Sequence, residues 1–159
     1  MNFLQFDGTN FVFEIGAREK HLLFEVLKHY PLVPSSHHRI TRNTEEAKMK
    51  SMQTLLEDAM AERRQETNKH LQAMLKDEAR FKAAKSGFRF SLTPQQAEWL
   101  LEALNDVRVG SWIILGEPDE EKLKSVNPTE TNAHYLWAME LCAYFQANLL
   151  AALDHRAPI

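Results

Sequence analysis

The chain has 159 residues and a formal net charge of −3 with its histidines neutral, which is length enough for one hydrophobic core. A slight acidic excess argues against a dedicated nucleic-acid binder, since such domains carry a clear basic surplus. The one cysteine, Cys142, excludes an intrachain disulfide framework and fits a reducing cytoplasm.

In chain order, residues 2–6 and 11–15 read as two strands about the turn Asp7-Gly8-Thr9-Asn10. A two-residue loop would set Phe6 against Thr9 and mix polar with apolar faces. A four-residue loop pairs Phe6 with Phe11 and Leu4 with Phe13 on one face, so that register is expected. Met1 to Phe13 has no basic start and no continuous apolar run, so no signal peptide is expected. A helix follows over about 17–30, with Leu23, Val26, Leu27 and Tyr30 on one side, and Pro31 and Pro34 stop it. Residues 31–43 form a linker that carries His37, His38, Arg39 and Arg42.

Residues 44–86 are rich in Ala, Met, Glu and Lys and read as helix almost throughout. One helix of that length would run about 63 Å, against about 40 Å for a compact body of this size. It must therefore break or project. Glu66-Thr67-Asn68 offers a cap, and helices over about 44–66 and 68–85 are expected. Met52, Leu55, Leu56, Ala59 and Met60 would face inward from the first, Leu71, Met74, Leu75 and Phe81 from the second.

Phe88, Phe90 and Leu92 alternate with Arg89 and Ser91 as a third strand over 88–92. The next helix, about 94–115, opens with a capping box: Thr93 as N-cap, Pro94 in the first turn and Gln96 three residues on. Leu92 is placed to staple against Ala97. Ala97, Leu100, Leu101, Leu104, Val107 and Ile114 form the inward stripe, and from Val109 onward the helix is apolar on nearly every side and is expected to be enclosed. Residues 117–127 read as an acidic loop, and a last helix over about 129–155 buries Ala138, Leu141, Cys142, Phe145, Leu149, Ala152 and Leu153. Its apolar run, Leu141 to Leu153, is shorter than the roughly 20 residues of a membrane span. The fold class is α+β and mostly helical: a single domain with a small antiparallel sheet on a bundle of about five helices.

Three stretches together resemble a known family: FEIGAREKHLLFEVLKHY, FRFSLTPQQAEWLLEALNDVRVGSWIILG and HYLWAMELCAYFQANLL. The family consists of small bacterial proteins catalogued as a domain of unknown function, often encoded beside the adaptor of the Clp protease. The resemblance implies a link to protein quality control and carries over no catalytic residue.

No phosphate loop, HExxH, GxSxG or CxxC is present. Glu98, Glu102 and Asp106 share one helix face, a spacing that serves acid–base work, a divalent metal or a plain solvated face. Asn105 and Arg108 border the inward stripe. A buried Arg108 would need a carboxylate or carbonyls, and Trp112 could stack on its guanidinium, either as a polar clasp to a neighbouring helix or as a recognition site for a carboxylate or peptide end. Trp99, Asn105, Asp106, Arg108 and Trp112 are therefore the candidate interaction or ligand site. His21, His29, His37 and His38 lie in a basic region with Arg18, Lys20, Lys28, Arg39 and Arg42 and read as solvated side chains. Cys142 reads as a buried small hydrophobe. The expected function is a non-enzymatic protein-interaction or regulatory module, with a protein partner that includes a second copy as a homodimer. No cofactor, metal or membrane is expected. An enzyme or small-ligand binder with a pocket near the central helix is the first alternative, a weak nucleic-acid-associated regulator the second.

Overall fold

The structure is a computed structural model that describes residues 1–34 and 47–155, with the side chains of 47–49 excepted. The fold is α+β and mostly helical, with an antiparallel sheet packed against helices. The sheet has four strands in the order β1-β2-β4-β3: β1 (Asn2–Phe6), β2 (Phe11–Ile15), β3 (Lys82–Ala84) and β4 (Gly87–Leu92). The helices are α1 (Ala17–Leu27), α2 (Ala47–Lys76), α3 (Pro94–Ile114), α4 (Glu120–Ser125) and α5 (Ala133–Asp154).

The first hairpin has the four-residue loop. Phe6 faces Phe11, and the Asp7 carboxylate accepts from the Thr9 and Asn10 amides at 3.0 and 2.7 Å. Those two amides hold the Asp7 carboxyl below its ordinary range. Beyond Gln5 the expected register fails, because a bulge lets Phe3 rather than Leu4 face Phe13. The larger ring wins the inner position, edge-on to Phe13 at 5.7 Å, and Leu4 is left 45% exposed. β2 is the buried centre of the sheet, with Phe11, Phe13 and Ile15 paired to Leu92, Phe90 and Phe88 of β4.

The long helical stretch departs from expectation twice. α2 runs unbroken through Glu66-Thr67-Asn68, because Thr67 is buried against the body while Glu66 stays outside near His70. It then ends at Lys76, where a helix to residue 85 was expected. Residues 78–80 form a 3-10 turn and Lys82–Ala84 pair with β4. Phe81 explains the change: it packs on Phe90 and Phe24 at 5.2 and 5.6 Å, and that burial outweighs a helix propensity of a few tenths of a kcal/mol per residue. At 30 residues α2 is about 45 Å long, and most of its first half is exposed. The inward face expected there is open, with Met52 63% and Leu55 67% exposed.

The capping box forms as read. The Thr93 hydroxyl accepts from the Gln96 amide at 3.2 Å, and the Gln96 side chain accepts from the Thr93 amide at 3.0 Å. Leu92 and Ala97 are both buried beside it. α3 packs most extensively on α5. Its far end is not enclosed as expected: Gly110 and Ser111 are buried, whereas Ile114 is 45% exposed. Residues 117–127 are not all loop, since Asp119 caps α4 through the Lys122 amide at 2.8 Å. α5 starts at Ala133 and spans 22 residues, so by length and composition it reaches a membrane span, which the Leu141–Leu153 run alone does not. Its Ala138, Cys142, Phe145, Leu149 and Ala152 lie in the core.

Burial pushes the Cys142 thiol up to about 12 against a weaker opposing pull from Arg108. The Tyr30 hydroxyl is likewise raised to about 12 by burial and by the charges of Glu102 and Asp106. In the unfolded chain both ionise near pH 9–10, so their contribution is complete below pH 9 and is lost as pH rises towards 12. Each pH unit inside that window costs up to about 1.4 kcal/mol per group. Urea midpoints are therefore expected to fall steadily between about pH 9 and about pH 12. In the same experiment, Cys142 should ignore a thiol reagent at pH 8 until the chain is unfolded. A native chain that reacts at once would show the thiol to be accessible.

Candidate functional site

The densest polar cluster lies where α2, α3 and the turn after α1 meet. Tyr30 ends the α1 segment, the Tyr30–Pro31 peptide is cis, and the chain then passes close over α3. That approach depends on Gly110, where a Cβ would lie 2.7 Å from the Leu32 side chain and 2.9 Å from its backbone. A glycine inside a helix is costly by itself, and here it gives room for a neighbouring chain segment.

Asp106 is the hub of the junction. One carboxylate oxygen accepts from the Leu32 and Val33 amides at 2.5 and 3.0 Å, and the other meets Arg64 of α2 at 2.9 Å. Arg64 also donates to the Val33 carbonyl at 2.9 Å. Both side chains are largely shielded from water. One turn back on α3, Glu102 takes a forked contact from Arg63, with the nearest approach 2.9 Å. Another turn back, Glu98 accepts from Gln95 at 3.3 Å. The row of carboxylates thus joins α3 to the arginines of α2 and to its own helix. Glu102 and Asp106 clasp α3 to α2, which the acid–base, metal and solvated-face readings of the spacing did not foresee.

Two cavities flank Arg64 and Met60. One, of about 300 Å³, is bounded by Val33, Arg63, Glu102, Asn105, Asp106 and Val109. The other, of about 360 Å³, is bounded by Pro31, Glu57, Ala61, Gln65 and Asn68. No group of three or more metal-ligating side chains stands together among the described residues.

The five candidate residues do not share a site. Asp106 and Asn105 border the first cavity. Arg108 is exposed rather than buried, reaching Gln146 of α5 at 3.3 Å. Trp112 does not serve Arg108 as expected, since its indole donates to the Pro118 carbonyl at 2.9 Å. Trp99 stacks on His70 with centroids 4.2 Å apart and planes 4° apart. Comparison with known families, curated proteins and solved structures finds no match. His21 and His29 lie exposed on or just after α1, and His29 stacks on His134 at 6.3 Å. His37, His38, Arg39 and Arg42 lie outside the described residues.

Sequence reasoning missed Arg63 and Arg64. The available signal was their adjacency on a helix that faces Glu102 and Asp106, spaced one turn apart. It read Lys20 as a solvated side chain, whereas its ammonium sits 4.2 Å from the Phe81 ring centre and 4.4 Å from that of Phe88. Cation–π attraction of this kind ties α1 to the β3–β4 hairpin.

Proposed function

We propose that this chain is a non-enzymatic interaction or regulatory module that docks a protein partner in the cytoplasm through the first half of α2. The carrying observation is the exposure of Met52 and Leu55 three residues apart on α2. Isolated exposed apolar side chains are ordinary, but two adjacent on one helical face form a ready contact for a partner. The carboxylates that could have done chemistry support the same reading, because Glu102 and Asp106 are engaged by arginines and backbone amides. The resemblance to the family found beside the Clp adaptor supports a place in protein quality control. The ligand-binding alternative has its place at the cavity beside Asn105, which stands at the lower end of small-molecule pocket sizes.

The test is capture from native host lysate by the tagged full chain and by a Met52→Glu, Leu55→Glu variant. Both positions are exposed, so the variant should keep its thermal midpoint and lose the partner. Equal capture by both proteins would refute docking through this face.

A further inference from the structure

We propose that the cleft between the turn after α2 and the outer face of the β3–β4 hairpin binds a phosphate group. The inference does not depend on the exposed face of α2. Arg80, Lys82 and Arg89 line this cleft of about 390 Å³, with Asp77 as its one carboxylate. Strand register brings the cations together. Lys82 stands directly opposite Arg89 in the β3–β4 ladder, and Arg89 stands opposite Glu14 of β2, so all three side chains share one face of the sheet. β3 pairs with β4 no further than Arg89. Beyond that point Arg80 takes over, its Nη1 donating to the Ser91 carbonyl at 2.8 Å and to the Gln96 side chain at 3.0 Å. The guanidinium is thereby fixed beside the two strand cations.

Both charge and hydrogen-bonding capacity are left over. Of the three Arg80 nitrogens only Nη1 is hydrogen-bonded among the described residues. Asp77 stays 3.9 Å from Arg80 and Glu14 stays 3.9 Å from Arg89, beyond hydrogen-bond reach. Lys82 is exposed and meets no carboxylate among the described residues. Like charges directly opposite in a ladder are destabilising, so Lys82 against Arg89 is a cost that a bound anion removes. Three cations against one carboxylate leave two positive charges, close to the charge that a phosphate monoester carries at neutral pH. A carboxylate or a phosphodiester would neutralise only one. The three acceptor oxygens of the monoester suit donors arriving from Arg80, Lys82 and Arg89. Free phosphate and a phosphorylated side chain of a partner share this chemistry, and the test separates them.

Amide shifts of residues 80–91 in the full chain are followed as inorganic phosphate replaces chloride at constant ionic strength, above the second phosphate pKa. A saturable shift with a Kd of about 1 mM is expected, the strength of a few charge-assisted bonds in water. Lys82→Gln and Arg89→Gln should each weaken binding about tenfold. The thermal midpoint of Lys82→Gln should not fall, since the substitution also removes the like-charge pair. Lys85→Gln, in the exposed turn between β3 and β4, should leave binding unchanged. No saturable shift, or equal binding by Lys82→Gln and the unaltered chain, would overturn the proposal. A Gly-Ser peptide carrying one phosphoserine is then compared with inorganic phosphate. Binding at least about tenfold tighter assigns the site to a partner's phosphorylated side chain, and equal or weaker binding assigns it to free phosphate. The same peptide with glutamate in place of phosphoserine should not bind. If it binds as well as the phosphopeptide, the site recognises acidic peptide and the phosphate assignment fails.

Discussion

Asp106→Ala is expected to lower the stability of the chain by about 3–5 kcal/mol, the range for removing one partner of a buried, hydrogen-bonded ion pair. The loss has two parts. The amides of Leu32 and Val33 lose their acceptor, and Arg64 is left shielded without the carboxylate it meets at 2.9 Å. Asp106→Asn separates them. Its carbonyl oxygen can still accept from both amides, whereas its amide group meets the Arg64 guanidinium donor to donor. An intermediate cost of about 2 kcal/mol follows. In an Arg64→Met background Asp106→Ala should cost clearly less, because the stranded charge is gone. Urea unfolding of the four variants measures these differences. Hydrogen exchange at Leu32 and Val33 should quicken in Asp106→Ala and much less in Asp106→Asn. Additive losses would mean that the arginine and the carboxylate act independently.

Gly87→Ala should be nearly as severe, by about 3–4 kcal/mol, or about 10 °C in Tm for a chain of this length. Gly87 has φ +141°, and a Cβ there would lie 2.3 Å from the Ile15 carbonyl oxygen and 2.8 Å from the Gly16 Cα. Both obstacles are backbone, at the end of β2 and in the residue after it, so no rotamer change relieves them. The substitution would force β4 away from β2 beside the Ile15–Phe88 pair, at the end of the ladder between the two central strands. Gly8→Ala is the control: its φ is also positive, at +96°, but nothing lies within 4 Å. It should cost only the left-handed backbone penalty, about 1–2 kcal/mol. Thermal unfolding followed by circular dichroism compares the two. Equal losses would show that conformation, not the close approach to β2, governs Gly87.

Both predictions concern contacts between segments far apart in sequence, and this is where legibility failed. The capping box at Thr93 could be read because its hydroxyl, amides and Gln96 lie within four residues. The hairpin loop could be read for the same reason. The exchange of Leu4 for Phe3 could not, since the bulge depends on how much ring the packed interior will accept opposite Phe13. Nor could the strand at Lys82–Ala84, whose alanines and lysines favour helix until Phe81 is drawn under Phe90. In the candidate site, the carboxylate row at Glu98, Glu102 and Asp106 was visible from spacing. Its partners were not, because Arg63, Arg64 and the Leu32–Val33 amides reach it only after α2 and the turn after α1 have docked.

By itself the amino-acid order determined the two periodicities, the helix starts and stops marked by caps and prolines, and hence a small sheet beside a helical bundle. Those features depend on forces acting within a turn or two of chain. Only tertiary structure decided that α2 continues through Thr67 and leaves Met52 and Leu55 exposed, that Asp106 holds the turn at Leu32 and Val33, and that Ile114 stays partly in water. The reason is that burial and ion pairing are settled between elements, where the free energy of packing exceeds local preference by several-fold.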